Sequence, residues 1–237
     1  MATRATGPLD EAALTARPTA ELRRLGSRSL TAGAVGLVPS AFGLFTLPDV
    51  FWQSYLIAYV FWMGITLGSL AVLMIQYLSG GAWGLVARRV LEASTRNLPL
   101  MVLLFLPIAW KLPELYAWAR PEAATDPLIV TKAAYLEPSF FYVRAGLFFV
   151  VWGGLVFLLN KWSTEQDEQA PMLPGPQDRR FRVLSGPGLV LYVITVTFMS
   201  IDWVMSLDPH WYSTIFGILT MGGQGLSTMA FTIVVLS

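Results

Sequence analysis

The 237 residues are 55% hydrophobic and 13% charged, with a formal net charge of +1, a single His and no Cys. That balance is far from a soluble domain and argues against nucleic-acid binding or a polybasic lipid anchor. Without Cys there is no disulfide framework, no Cys-ligated iron–sulfur cluster and no C-x-x-C-H haem attachment, and one His cannot supply the facing pair of a b-type haem. The class expected is all-α: a polytopic transmembrane helix bundle.

Residues 1–29 mix Arg4, Arg17, Arg23, Arg24 and Arg28 with Asp10, Glu11 and Glu21. They contain no short apolar core before a small-residue cleavage site, so they read as a cytoplasmic tail, with a short amphipathic helix from Glu11 to Leu25. A span needs about 20 apolar residues, and the bundle of residues 30–237 divides into spans at 30–47, 51–78, 97–117, 139–160, 187–207 and 210–237. In the first, Gly33, Gly36 and Gly43 lower the hydrophobicity, although small residues also let a helix approach its neighbours closely. In the second, Gly64-Ile-Thr-Leu-Gly68 has the small-xxx-small spacing that lets helices approach closely.

After the breaker cluster Ser79-Gly-Gly-Ala-Trp-Gly84, Arg88, Arg89, Glu92 and Arg96 alternate with apolar residues at helical spacing. This predicts an interfacial amphipathic helix over Leu85–Asn97. Pro99 and Pro107 fall in the third span, where kinks are tolerated if neighbours satisfy the freed carbonyls. The polar, Pro-containing stretch from Lys161 to Gly186 reads as a solvated connection, as does Arg120–Pro138. The chain stops at Val234-Val-Leu-Ser237 without the basic or aromatic anchors that usually mark a helix exit, a pattern expected of a longer protein interrupted there.

Loop charge gives the orientation independently. Arg4, Arg17, Arg23, Arg24, Arg28, Arg88, Arg89, Arg96, Lys161, Arg179, Arg180 and Arg182 fall on one side, against Lys111, Arg120 and Lys132 on the other. Twelve against three predicts a cytoplasmic N-terminus.

Asp202 is an acid inside apolar sequence, where ionisable groups are costly and mark proton, ion or charge-pairing roles. It lies six positions before Asp208, about 9 Å along a helix, while Arg144 lies about 7.5 Å into the fourth span from the same side. Matching depth predicts an Arg144–Asp202 pair, serving either as a structural clamp or as part of a proton relay. Asp208-Pro209-His210-Trp211 has the form of a helix start, with Asp208 as cap and Pro209 at the first position. His210, at the mouth, is a candidate for proton exchange or an ordinary interfacial histidine.

Tyr55, Tyr59, Tyr192 and Phe140-Phe-Tyr142 are aromatic candidates for a hydrated path or an isoprenoid groove, with packing as the alternative. Asp202, Asp208, His210 and Tyr192 form the proton-relay set. Met221-Gly-Gly-Gln-Gly225 resembles a phosphate loop only superficially, because it lacks the preceding strand and the Lys-Ser/Thr. Gln224 there is a candidate for an interhelical hydrogen bond. No nucleophile–base pair, metal-ligand cluster or nucleotide fingerprint stands out.

Four segments carry a family likeness: Ser200-Ile-Asp-Trp-Val-Met-Ser-Leu-Asp-Pro-His-Trp-Tyr-Ser-Thr-Ile-Phe-Gly217, Gln53-Ser-Tyr-Leu-Ile-Ala-Tyr-Val-Phe-Trp62, Leu91-Glu-Ala-Ser-Thr-Arg-Asn-Leu-Pro99 and Asn160-Lys-Trp-Ser-Thr164. Over roughly residue 25 to the end, the chain resembles the F subunit of bacterial alternative complex III, a membrane protein of the NrfD or polysulfide-reductase anchor type. The resemblance implies an inner-membrane subunit of a quinol:cytochrome c oxidoreductase that holds no redox centre itself. Haem c and iron–sulfur clusters are then expected in partner subunits, and quinol in an NrfD-like sister subunit, with a terminal oxidase as a further partner. It also implies about ten spans around two four-helix bundles, of which this chain supplies six. A proton-conducting role maps onto Asp202, with Asp208 and His210 at its outer mouth. The alternatives are a purely structural anchor and a secondary transporter, the latter lacking the inverted repeats it calls for.

Overall fold

The computed structural model describes residues 20–80, 84–169 and 179–236. Among them there is no strand, and six helical stretches are long and apolar enough to cross a membrane. The protein is an all-helical, multi-pass membrane protein by architecture. It divides into two compact units at Phe51.

The first unit holds α1, Ala20–Thr46. Helix therefore begins ten residues before the expected start of the first span, and the candidate crossing covers Gly26–Thr46. The expected tail helix over Glu11–Leu25 lies largely outside the described residues. Pro39 sits within α1, and Ser40 next to it donates its hydroxyl to the Gly36 carbonyl at 2.8 Å. Leu30, Val35, Leu37, Val38, Phe42 and Phe45 are all exposed, as side chains facing lipid are.

α2, Pro48–Ser79, opens on a proline at a position where its missing N–H costs nothing, and continues into the second unit. It ends at Gly80, whose φ of +68° suits the left-handed conformation that follows helices. From Met63 to Met74 every residue is buried, so α2 is the helix around which the second unit packs. Gly64 and Gly68 set its closest approach. A Cβ on Gly68 would lie 2.6 Å from the Gln224 carbonyl oxygen and against the Thr228 hydroxyl, whereas one on Gly64 would meet Gln224 Cγ at an ordinary 3.4 Å. Thr228 Oγ1 also donates to the Ile65 carbonyl at 3.2 Å.

The third crossing differs from expectation at both ends. α3, Leu85–Thr95, and α4, Leu98–Trp110, form a nearly continuous crossing over Val86–Trp110. On α3, Arg88 and Glu92 turn inward and are buried. The span stops at Trp110 rather than residue 117. Beyond it, closely spaced prolines limit the chain to short pieces: α5, Leu112–Leu115, 3-10 turns at Ala117–Ala119 and Pro121–Thr125, and α6, Pro127–Thr131. Near Pro107, the Tyr55 hydroxyl donates to the Leu104 carbonyl at 2.8 Å, joining α2 to α4.

α7, Pro138–Gln169, and α8, Arg179–Trp203, both run past the apolar segments they contain. Helix thus occupies both flanks of the expected 161–186 connection. After a 3-10 turn at Met205–Leu207 the chain stays irregular until α9, Phe216–Leu236. The sixth span accordingly starts at Phe216, not at residue 210. Asp208 does not cap it: its Oδ1 accepts the His210 N–H at 3.0 Å, closing a local turn that competes with helix. Trp203, Trp152, Tyr116 and Phe141 are the largest fully buried side chains, and Trp203 packs its ring against Phe105 at 4.7 Å.

Candidate functional site

The structure brings Arg144 and Asp202 together, 58 residues apart in sequence. Arg144 Nε donates to Asp202 Oδ2 at 2.7 Å and Nη2 to Oδ1 at 3.1 Å, a two-pronged contact that fixes both groups in plane. Asp202 is 1% exposed and Arg144 7%. The pair has the inward placement that a charge in a spanning segment requires.

Tyr135, in the connection before α7, completes the cluster. Its hydroxyl donates to Asp202 Oδ1 at 2.7 Å, its carbonyl accepts from Arg144 Nη1 at 3.1 Å, and its ring lies 4.0 Å from the guanidinium carbon. Phe140 covers the guanidinium at 4.3 Å. Burial, then the Asp202 charge and the hydrogen bond to it, push the Tyr135 phenol above its ordinary value, so it remains a donor at neutral pH. Tyr135 also lines a cavity of about 280 Å³ with Lys132, Ser206, Asp208, Pro209 and Trp211. One phenol therefore connects a space next to exposed residues with a buried carboxylate.

The cavity's neighbourhood is held by contacts between two irregular connections. Lys132 Nζ donates to the Pro209 carbonyl at 2.5 Å, and His210 Nε2 lies 2.8 Å from Asp126 Oδ2, with Asp208 Oδ1 at 3.7 Å from Nδ1. Asp126 also caps α6 by accepting the Leu128 N–H at 2.9 Å. Desolvation works against it, but the Leu128 and Ile129 amides together with His210 hold its carboxyl below the usual range.

Of the sequence-derived relay set, Asp202, Asp208 and His210 share this end of the unit. Tyr192 does not reach it, lying ten residues earlier on α8, about 15 Å away along the axis. Its hydroxyl donates instead to Gln224 Oε1 at 2.7 Å, joining α8 to α9. Tyr59 Oη and Trp203 Nε1, buried with ring centroids 5.8 Å apart, have no hydrogen-bond partner among the described residues. Tyr55 and Tyr59 line an apolar cavity of about 320 Å³ between α2 and α4.

A second ionic cluster occupies the opposite end, and sequence reading missed it. Arg88 Nε donates to Glu92 Oε1 at 2.7 Å, Arg88 Nη2 to Ser163 Oγ at 2.8 Å, and Ser163 Oγ to Glu92 Oε1 at 2.7 Å. Arg89 extends it outward, from Glu92 at 3.0 Å to Asp167 at 2.6 Å. The i,i+4 spacing of Arg88 and Glu92 was a visible signal, though not of burial. Thr95 and Arg96 meet Asn160 in the same region, so two of the segments that carry the family likeness touch one another.

Among the described residues no group of His, Asp and Glu side chains could hold a metal ion. These features define a multi-pass helical membrane protein with a buried Arg–Asp–Tyr cluster beside a cavity. No protein-family model and no curated protein matches the chain.

Proposed function

We propose that this chain is a membrane subunit of a respiratory quinol:electron-acceptor oxidoreductase of the alternative complex III kind, scaffolding partners and conducting protons at Asp202. In this reading the N-terminus is cytoplasmic, the membrane is the bacterial inner membrane, and haem c, iron–sulfur clusters and quinol belong to partner subunits. The twelve-to-three distribution of basic residues supports the orientation.

The observation that carries the proton role is Tyr135, which lines the 280 Å³ cavity and donates 2.7 Å to Asp202. A proton delivered to the cavity can pass through a phenol to the carboxylate without crossing lipid. Arg144 holds the carboxylate in plane through two hydrogen bonds, so the accepting oxygen has a fixed position relative to the Tyr135 phenol. Redox chemistry in a neighbour acts on this cluster by changing the local field.

A second reading, a structural anchor, is favoured by the two-pronged pairing and by the Tyr135 and Phe140 rings packed against Arg144. Asp202→Asn and Tyr135→Phe, placed in the reconstituted complex, separate the two. The relay reading expects assembled complex with proton release lowered about tenfold or more. Assembly with unchanged release and turnover removes Asp202 from the relay, and loss of assembly in both variants supports the anchor.

A further inference from the structure

On α7, Gly153, Val156, Phe157, Asn160, Lys161 and Thr164 follow the i, i+3, i+4, i+7, i+8, i+11 pattern of a single helix face. The face changes character along its length, from small and apolar to polar and basic. Together with Arg96, Leu98 and Pro99 it encloses a groove of about 380 Å³. From Lys161 down to Gly153 the trough runs about 12 Å along the helix. Its floor is open, since a Cβ on Gly153 would meet nothing within 4 Å.

The basic end is built rather than incidental. Asn160 is fixed by donating Nδ2 to Thr95 Oγ1 at 3.0 Å and to the Val156 carbonyl at 2.9 Å, and its Oδ1 accepts Arg96 Nε at 2.9 Å. That contact uses one edge of the guanidinium. The terminal N–H groups of Arg96 make no hydrogen bond among the described residues, which leaves a forked donor at the groove. Lys161 is half exposed and 3.9 Å from Glu165, whose carboxylate lies closer to Arg180 at 3.3 Å. The nearby Asp167 is already held by Arg89 at 2.6 Å.

We infer that this groove binds an anionic glycerophospholipid, its phosphate between Arg96 and Lys161 and one acyl chain along Phe157 and Val156 to Gly153. Two cations match a headgroup with net negative charge, and basic pockets between spanning helices recognise such headgroups. A free phosphate would leave the apolar trough without a role, and a zwitterionic lipid would bring its own cation against Lys161. The inference rests on the membrane-spanning architecture and is independent of the proton role.

Native mass spectrometry of the full, delipidated chain titrated with phosphatidylglycerol or phosphatidylcholine tests it. Phosphatidylglycerol should bind about tenfold more tightly. R96Q/K161Q should bring the two lipids to parity, and Gly153→Phe, which fills the trough, should weaken both. Equal binding by the unmodified chain, a preference that survives R96Q/K161Q, or displacement of phosphatidylglycerol by inorganic phosphate would overturn the inference. Should the double variant not fold, Lys161→Gln alone leaves the Arg96–Asn160 contact in place. It should reduce the preference about threefold, and an unchanged preference counts against the site.

Discussion

The two ionic clusters use the same parts, an arginine, a carboxylate and a hydroxyl, and arrange them differently. Arg88 and Glu92 stand one turn apart on α3, so their contact is local, and Ser163 reaches across from α7 to share it. Arg144 and Asp202 come from α7 and α8, and their hydroxyl comes from a connection that also borders a cavity. The first cluster fastens an amphipathic helix to its neighbour. The second holds a charge inside a crossing next to a residue that borders a cavity, so burial of an ion pair does not by itself distinguish fastening from the proposed proton handling.

Breaking the second cluster should have the largest effect. Arg144→Leu leaves Asp202 buried with only Tyr135, and stability should fall by about 3–5 kcal/mol, read by thermal unfolding in mild detergent. R144L/D202L should recover most of that loss, because no uncompensated charge remains. A single variant as stable as the unmodified chain would mean that Asp202 is balanced by something other than the guanidinium.

Arg88→Leu should cost less, about 1.5–3 kcal/mol, since Arg89 and Ser163 still hold Glu92. If it costs more than Arg144→Leu, the two ends have been ranked the wrong way round.

The smallest effect expected is at Asp126. Its carboxyl in the folded chain lies below the unfolded value, so its contribution is complete above about pH 4 and fades as pH falls through the lower folded value. The protection factor of the Leu128 amide, corrected for the intrinsic pH dependence of exchange, should therefore fall only below about pH 4, and Asp126→Asn should abolish that step. A protection factor that already falls well above pH 4 would mean that Asp126 does not control this turn.

The crossings are legible because lipid imposes one condition on every exposed residue, so a run of apolar side chains is sufficient. The depth of Arg144 and Asp202 follows from helix rise alone, which is why two residues 58 positions apart could be paired on paper. Tyr135 gave no such signal. It sits in a connection whose path depends on prolines and short turns, where no period relates sequence to position. Asp208-Pro209 carried a signal with two physical outcomes, since a side chain able to cap a helix can equally close a turn on His210. The burial of Glu92 depended on Ser163, 71 residues away, and nothing in the spacing of α3 announces that partner.

The stretch from Asp208 to Ile215 has a consequence for vertical position. Its irregular backbone leaves amides and carbonyls that hydrocarbon cannot accommodate, so this stretch must stay at the waterline wherever the protein drifts. Asp202 hangs about 10 Å beneath it through the end of α8 and a single 3-10 turn. Peptide groups outside regular helix thus act as a float, and they tether the acid at a shallow, constant depth even in bilayers of differing thickness.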